Sequence, residues 1–388
     1  MQCKCRKIRV KMNKMLLIAV DSMLAGVLIT GCGNAGISTA TLTPVIPTST
    51  LPVPTATQTF IATALPSATT IPELLPISPE AAAYLEEALN IMKYTSLYRH
   101  RIDWEALYAS AFKIAEHAQT PADTYDAIRF ALNELGDHHS HFRPPDEVVE
   151  VMQMTVNDIP LPQAKLVLDK IGFIKIVGYN SVNEGENRKY ATMVQDLIRD
   201  LDTQDVCGWL VDVREHTGGS SWPIIAGLGP LLGEGELGAA VDADGNKSVW
   251  AYQDGQILDG ESVTTYINGP PYQLKAVFPP VAVLTGMQTA SAGEAVVIAF
   301  RGRPNTRSFG LYTAGKSTGN SVFQLSDGAW IAVTTNFSAD RTGQIYEDRL
   351  DPDEKVDAVW QLTVISEEII PQPAIDWLMS QPACIAQN

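Results

Sequence analysis

The sequence predicts an α/β fold that consists of a helical N-terminal subdomain and a core in which strands and helices alternate. Two observations support this prediction. Three segments between residues 77 and 150 carry apolar side chains at the spacing of an amphipathic helix. Beyond residue 150, short runs rich in β-branched residues alternate with helical segments, an order typical of α/β architectures. The chain has 388 residues, 45% of them hydrophobic, which is enough to bury a sizeable core.

Residues 1–31 have the pattern of a secretory signal peptide. Six lysines and arginines lie within residues 4–14, and the following stretch, Met15–Gly31, is mostly apolar but short for a membrane span. It ends in LITGC and resembles a bacterial lipoprotein signal, which implies that Cys32 is acylated and anchors the protein to the extracytoplasmic face of a membrane. The alternative is an ordinary secretory signal or a poorly cleaved anchor, and Asp21 within the apolar run is the main observation in its favour.

Residues 32–76 are predicted to form a disordered tether. No charged residue occurs from Gly33 to Pro72, and the stretch is rich in Thr, Pro and Ala without an apolar face of regular period. We therefore expect folded structure to begin near Ile77.

The charge of the chain argues against nucleic acid as a partner. The chain has 28 basic and 44 acidic residues, and six of the basic and one of the acidic residues precede Cys32. Residues 32–388 therefore carry 22 basic and 43 acidic side chains, a net charge of −21. Because such a protein repels phosphate backbones, we expect no nucleic-acid partner. The sequence does not indicate the oligomeric state.

The helical subdomain is predicted for residues 77–150 and the core for residues 151–388. The three helical segments are SPEAAAYLEEALNIMKYTSLYR, DWEALYASAFKIAEHA and PADTYDAIRFALNELG, the last of which ends at Gly136. The strands predicted in the core are KIGFIKIVGY, CGWLVDVR, AVFPPVAVLTG and AWIAVTTNF. The helices predicted in the core are NRKYATMVQDLIRDLDT, SWPIIAGLGPLLG and AGEAVVIAFRG.

Two cysteines remain in the predicted core. Cys207 and Cys384 could pair in an oxidising compartment, but the spacing alone does not decide this. The alternative for Cys207, which opens an apolar run, is a small buried side chain.

Three short segments, here called islands, contain chemically active residues and lie where predicted strands or helices end. LGDHHSHF contains His139, DVREHTGGS contains Gly218 and Gly219, and the stretch from TASAGEA to TAGKS places Ser291 25 residues before Lys316. A serine at a strand-to-helix junction is usually an N-cap, whose oxygen accepts a backbone N–H. The occurrence of all three islands in one chain favours a nucleophile over a cap at this position.

The third island resembles the signature of the C-terminal processing (tail-specific) peptidases of family S41, Ser-Ala-Ser-Ala-Ser-Glu followed by Thr-x-Gly-Lys. Here the two parts read TASAGE and TAGK, so the resemblance implies that Ser291 is the nucleophile and Lys316 its base. DVREHTGG is similar to the family pattern Asp-Leu-Arg-Gly-Asn-x-Gly-Gly. The resemblance implies a ClpP/crotonase-like ββα core. There is no room for a PDZ domain before KIGFIKIVGY, which indicates the PDZ-less, tricorn-core-like branch.

The departures from the family pattern leave the base open. The glutamine that follows the family lysine by four residues is Asn320 here, which the resemblance implies as the residue that orients the base. Glu215 and His216 replace the usual Gly-Asn. The tricorn-like branch has a histidine base in the motif Leu-Gly-Asp-x-His, and His139 matches it. The sequence favours Lys316, because its spacing matches the family and no acidic residue lies near it in the chain.

Acyl transfer also makes demands on the surroundings of the nucleophile. A lysine that acts as a base must be neutral, so burial has to lower its pKa from about 10.4 towards 7. The oxyanion requires preorganised N–H donors, which we assign to Ala292 and to Gly218 or Gly219.

These inferences predict an extracytoplasmic, lipid-anchored serine peptidase that hydrolyses peptide or protein substrates through an acyl-enzyme. No cofactor and no metal are expected, because DHHSH has no further ligands at zinc spacing. One alternative is a non-catalytic protein of the same fold that holds a peptide or a hydrophobic ligand in its cleft. The other is an ester or amide hydrolase of the α/β-hydrolase type, which the absence of G-x-S-x-G around Ser291 disfavours.

Overall fold

The computed structural model describes residues 75–357, 362–365 and 368–386. The predicted signal peptide, Cys32 and all but the last two residues of the predicted tether lie outside the described residues. All of the described residues belong to one compact unit.

The helices of the described residues fall into an N-terminal group, a group in the core and a C-terminal pair. They are α1 (Pro79–Thr95), α2 (Trp104–Ile114), α3 (Tyr125–Glu134), α4 (Pro145–Gln153), α5 (Glu184–Asp202), α6 (Ser221–Gly227), α7 (Gly229–Leu232), α8 (Ala292–Phe300), α9 (Gln372–Met379) and α10 (Pro382–Ile385).

The strands of the described residues form two large sheets and one hairpin. They are β1 (His141–Arg143), β2 (Gln163–Val167), β3 (Ile171–Lys175), β4 (Gly208–Asp212), β5 (Gly235–Asp242), β6 (Lys247–Gln253), β7 (Gln256–Asp259), β8 (Ser262–Tyr266), β9 (Val281–Thr285), β10 (Thr306–Gly310), β11 (Thr318–Gln324), β12 (Trp330–Asp340), β13 (Ile345–Tyr346), β14 (Glu354–Lys355), β15 (Leu362–Ile365) and β16 (Glu368–Pro371). The hairpin is formed by β15 and β16.

The first sheet has six strands in the order β14-β10-β9-β4-β3-β2. All neighbouring pairs are parallel except β2 and β3. Every residue of β4 and β9 is buried, as expected of central parallel strands covered on both faces. Because β4 and β9 are parallel neighbours, the loops that follow them emerge side by side at one edge of the sheet, the usual place for a site in such sheets.

The second sheet is antiparallel and has eight strands. Its order is β1-β12-β5-β6-β7-β8, and β11 and β13 also pair with β12. Strands β5 to β8 were not predicted, because glycine and polar residues interrupt their apolar residues and leave no continuous apolar run.

The N-terminal helices share a core with this second sheet. Leu85 of α1 and Ile128 of α3 lie in one apolar cluster with Ile331 and Val333 of β12, and all four side chains are fully buried. Strand β1, which follows the N-terminal helices, is antiparallel to the beginning of β12. The helices are therefore fixed to the core beside the segment that carries His139.

The structure confirms the predicted α/β class with its helical N-terminal region. Helix α1 begins as predicted: Ser78 is its N-cap and accepts the N–H of Ala81, and Pro79 occupies the first helical position. Cys207, just before β4, and Cys384 in α10 are joined by a disulfide, and both are buried. The pairing that the sequence left open is thus present.

Candidate active site

Ser291 lies between the end of β9 and the first residue of α8. Its backbone has φ 52° and ψ −111°, a conformation that residues other than glycine rarely adopt. Ser291 occupies the N-cap position of α8, and the Glu294 carboxylate accepts the Ser291 backbone N–H at 2.9 Å. The Ser291 hydroxyl has a different partner, because its Oγ lies 3.0 Å from Nε2 of His139. Strained backbone at a polar side chain is typical of functional sites.

His139 is placed by the loop that leads from α3 to β1. Its Nδ1 lies 2.9 Å from Oγ1 of Thr318, and its side chain is buried, with the residue only 9% exposed. Burial, together with the positive charges of Lys316 and His141, lowers the pKa of His139 to about 4, and the charge of Asp137 opposes this shift. The imidazole is therefore neutral at pH 7 and can accept a proton at Nε2 when Nδ1–H donates to Thr318.

Two side chains hold the loop of His139 in place. The Asp137 carboxylate accepts the backbone N–H groups of His139 and Ser140, at 2.8 and 2.6 Å. Asn320 donates from Nδ2 to the His139 carbonyl at 3.0 Å, and its Oδ1 accepts from Thr334. Asn320 thus contacts the histidine loop, although the sequence suggested that it would contact the lysine.

The Lys316 side chain makes no hydrogen bond to Ser291 within the described residues, although the sequence favoured Lys316 as the base. Its side chain is exposed, and its Nζ makes no hydrogen bond or ion pair within the described part of the chain. Only its backbone contributes, because the Lys316 N–H donates to the Glu294 carboxylate at 2.8 Å. The burial that a neutral lysine requires is missing.

The Gly-Gly turn approaches the nucleophile closely. Gly218 and Gly219 have φ values of 120° and 116°, and a Cβ on Gly218 would lie 3.3 Å from Cβ of Ser291. The Gly218 N–H donates to Nδ1 of His216 at 3.3 Å. In the described residues the N–H groups of Gly219 and Ala292 have no protein acceptor, and both residues line the cavity that contains Ser291.

Glu294 has a role that the sequence did not reveal. It is fully buried and accepts from the N–H groups of Ser291, Gly315 and Lys316 and from the Thr313 hydroxyl, at 2.5–3.0 Å. Burial raises the pKa of Glu294, and these hydrogen bonds oppose that effect. The carboxylate ties the loop after β10 to the start of α8. The only indication of this role in the sequence is that Glu294 is the acidic last residue of the TASAGE motif.

The strand-end motif contributes a structural ion pair. Arg214 donates from Nε and Nη2 to the Asp212 carboxylate at 2.9 and 2.6 Å, at the end of β4. His216, two residues further on, is fully buried, and its Nε2 has no partner. Burial lowers the pKa of His216 to about 4.

Ser291 and His139 open onto a cavity of about 520 Å³. Its walls include Trp222, Trp250 and Arg143, so the cavity offers both apolar surface and charge. Its size is that of a site for a peptide segment or a small molecule. No three His, Cys, Asp or Glu side chains are grouped to hold a metal ion within the described residues. The described helices include none that is long and apolar enough to span a membrane.

Residues 170–356 match the model of peptidase family S41. The chain contains a peptidase family S41 domain. This domain includes Ser291, Lys316 and the Gly-Gly turn, whereas His139 precedes it. The Nisin-resistance protein of Lactococcus lactis subsp. lactis is 28% identical over 309 residues, which cover 79% of this chain and 89% of that protein.

Two solved structures share the fold. A lipoprotein from Streptococcus agalactiae has a TM-score of 0.64 at 24% identity, covering 79% of this chain and 98% of its own. The photosystem II D1 C-terminal processing protease has a TM-score of 0.53 at 16% identity, covering 79% of this chain and 99% of its own. Both likenesses extend beyond the S41 domain to most of the described residues.

Proposed function

We propose that this chain is a lipid-anchored, extracytoplasmic serine peptidase in which Ser291 is the nucleophile and His139 is the general base. The observation that carries the proposal is the 3.0 Å contact between Ser291 Oγ and Nε2 of a buried, neutral His139. Membership of the S41 domain in a peptidase family supports peptide or protein as the substrate class.

The reaction follows from this geometry. His139 Nε2 takes the hydroxyl proton as Ser291 Oγ attacks the scissile carbonyl carbon, and the carbonyl oxygen becomes an oxyanion. The free N–H groups of Gly219 and Ala292 donate to the oxyanion. The imidazolium then protonates the leaving amine and the C–N bond breaks, which leaves an acyl-enzyme. Water, deprotonated by the same imidazole, hydrolyses the ester and restores Ser291.

The choice of His139 reverses the preference that sequence spacing suggested. Lys316 has the family spacing, but its side chain is exposed and not hydrogen-bonded to the serine within the described residues. His139 is in hydrogen-bond contact with the serine, and because its imidazole is neutral, Nε2 can accept the hydroxyl proton directly. Gly219 is preferred to Gly218 as oxyanion donor, because the Gly218 N–H is already engaged by His216.

Single substitutions test the assignment. Ser291→Ala is expected to abolish cleavage of a protein mixture, and His139→Ala to lower kcat by roughly 10³- to 10⁴-fold. Lys316→Ala is expected to change kcat by less than about tenfold. A Lys316→Ala variant that is as inactive as Ser291→Ala would return the base role to the lysine. A wild-type chain that neither cleaves nor reacts with a serine-directed probe would favour the non-catalytic binding protein.

The membrane anchor rests on LITGC and on the fold shared with a streptococcal lipoprotein. Expressed in a bacterium, the chain should partition with membranes and incorporate labelled fatty acid, and Cys32→Ala should lose the label. Wild-type protein without label would remove the anchor from the proposal and leave the peptidase untouched.

Resistance to nisin is a second, more specific candidate. It is supported by the relative from Lactococcus lactis, of which this chain covers 89%. Bacteria that express the chain should then grow at nisin concentrations that stop cells expressing Ser291→Ala. Equal inhibition of the two strains would exclude nisin as a substrate. The peptidase assignment would then depend on the cleavage assay alone.

A further inference from the structure

Arg143 is an unpartnered cation on the wall of the cavity that contains Ser291. It lies on β1, where strand alternation places it on the same face as His141, and both residues line the cavity. Every other arginine of the described residues has a hydrogen-bond, ion-pair or ring partner, whereas the Arg143 guanidinium has none. Half-buried charge without a partner is unfavourable unless something else supplies the counter-charge.

The charges nearby do not supply it. Asp259 is the carboxylate among the residues that line the cavity, but it accepts from the Ser248 hydroxyl at 2.5 Å and makes no ion pair with Arg143. Burial lowers the pKa of His141, and the charges of Arg143 and Lys316 lower it further, while a hydrogen bond to the His139 carbonyl and the charge of Asp137 oppose them. Among the described residues that line the cavity, Arg143 is the only lysine or arginine.

We propose that Arg143 binds a carboxylate of the substrate, so that the enzyme selects peptides with a carboxylate close to the cleaved bond. This proposal rests on the proposed function. A guanidinium matches a carboxylate with two parallel N–H···O bonds, which makes arginine well suited to this recognition.

The position of the carboxylate follows from the chain itself. Arg143 is four residues from His139, which sets their Cα atoms at most about 13 Å apart at 3.3 Å per residue. An extended substrate covers the same distance in about four residues. The reach of the long arginine side chain reduces the number of residues needed. The carboxylate is therefore placed within about four residues of the cleaved bond.

Two groups of a peptide carry this chemistry, namely its C-terminal carboxylate and the side chain of Asp or Glu. A peptide series separates them. One pair shares a neutral sequence and ends in a free acid or an amide. A second set of peptides ends in an amide and carries a single Glu or Gln, placed in turn at each position within about four residues of the cleaved bond. All are labelled with fluorescein at the N-terminus.

Binding is measured by fluorescence anisotropy on the full chain with Ser291→Ala, so that no peptide is consumed. The acid of the preferred pair should bind about tenfold to a hundredfold more tightly than its neutral counterpart. Adding Arg143→Gln should bring this ratio close to one, and Arg143→Glu should invert it. Arg129→Gln is the matched control, because Arg129 lies over the Phe142 ring next to Arg143 but outside the cavity, and it should keep the ratio.

The outcomes separate this proposal from the peptidase assignment. Discrimination confined to the free-acid pair identifies the C-terminus, and discrimination confined to the Glu–Gln set identifies a side chain. Equal binding of acidic and neutral peptides, or a ratio that survives in folded Arg143→Gln, overturns the proposal. Because binding is read in the Ser291→Ala background, these results stand whether or not the wild-type chain cleaves.

Discussion

His139 combines two properties at the scale of single residues. It touches Ser291, and it is buried deeply enough that its pKa falls to about 4. A histidine with a depressed pKa keeps its neutral form over a wide pH range above that value. An exposed lysine has the opposite preference and holds its proton at neutral pH.

The pH dependence of the rate should reflect this difference. With His139 as base, activity is present above its folded-state pKa and is lost as the pH falls through it. We therefore expect kcat/KM of the wild-type enzyme to be nearly constant from pH 6.5 to 8 and to decline only in more acidic buffer. The measurement is a pH–rate profile at low substrate concentration. A rise with a midpoint above 7 would instead indicate a lysine base.

His216 leads to a second prediction at this scale. Its Nδ1 accepts the Gly218 N–H and so holds the turn that presents Gly219. Asparagine can place an oxygen near the position of Nδ1, so His216→Asn should keep kcat within about threefold. His216→Ala loses the acceptor and should lower kcat by roughly tenfold to a hundredfold, a part of what a lost oxyanion donor costs. Equal rates for the two variants in steady-state kinetics would contradict a positioning role.

The limits of sequence reasoning are clearest for the base. Spacing placed Ser291, Lys316 and the Gly-Gly turn in one site, and LGDHHSHF brought His139 into consideration. Spacing does not report the direction of a side chain. Lys316 faces the site with its backbone N–H and turns its ammonium outward, while a residue 152 positions from the serine reaches it through β1 and β12.

At the scale of elements, the loop that carries His139 meets two further loops and the start of α8. Strands β4 and β9 are parallel neighbours, so the Gly-Gly turn and Ser291 emerge side by side. Glu294, in the first turn of α8, binds the loop after β10 through two N–H groups and one hydroxyl, and it also accepts the Ser291 N–H.

Glu294→Gln should therefore be costly although it changes little in size. The amide offers one acceptor oxygen and turns an N–H₂ group towards N–H donors, which leaves buried donors unsatisfied. We expect the free energy of unfolding to fall by about 2–5 kcal/mol, measured in urea. Glu347→Gln is the control, since Glu347 is exposed, and it should stay within about 0.5 kcal/mol of wild type. A Glu294→Gln variant as stable as this control would refute the role of the carboxylate.

Elements were predictable where burial is continuous. The buried strands β3, β4 and β9 and the helices α5 and α8 were found because their apolar pattern is unbroken or periodic. Strands β5 to β8, part of the second sheet, were missed because polar residues such as Gln253 and Asp259 interrupt their apolar residues. Their pairing is decided by neighbours in space, which a single sequence does not display.

At the scale of the whole molecule, the disulfide closes a long loop. Cys207 and Cys384 are 177 residues apart, and the bond fastens α10 to the start of β4. Restricting the unfolded chain in this way should stabilise the fold by roughly 2–5 kcal/mol. The double variant Cys207→Ala/Cys384→Ala should melt at a lower temperature than wild type. Reductant should lower the melting temperature of wild type and leave the variant unchanged; an insensitive wild type would contradict the bond.

The division of the proposed nucleophile and base between two regions has a consequence for the life of the protein. Ser291 belongs to the S41 domain and His139 to the segment before it, and they meet only after the helices have packed against β12. On this assignment, a chain whose N-terminal helices have not packed against β12 lacks the contact between Ser291 and His139 and should not cleave. A fragment limited to residues 170–356, which does not contain His139, should likewise be inactive.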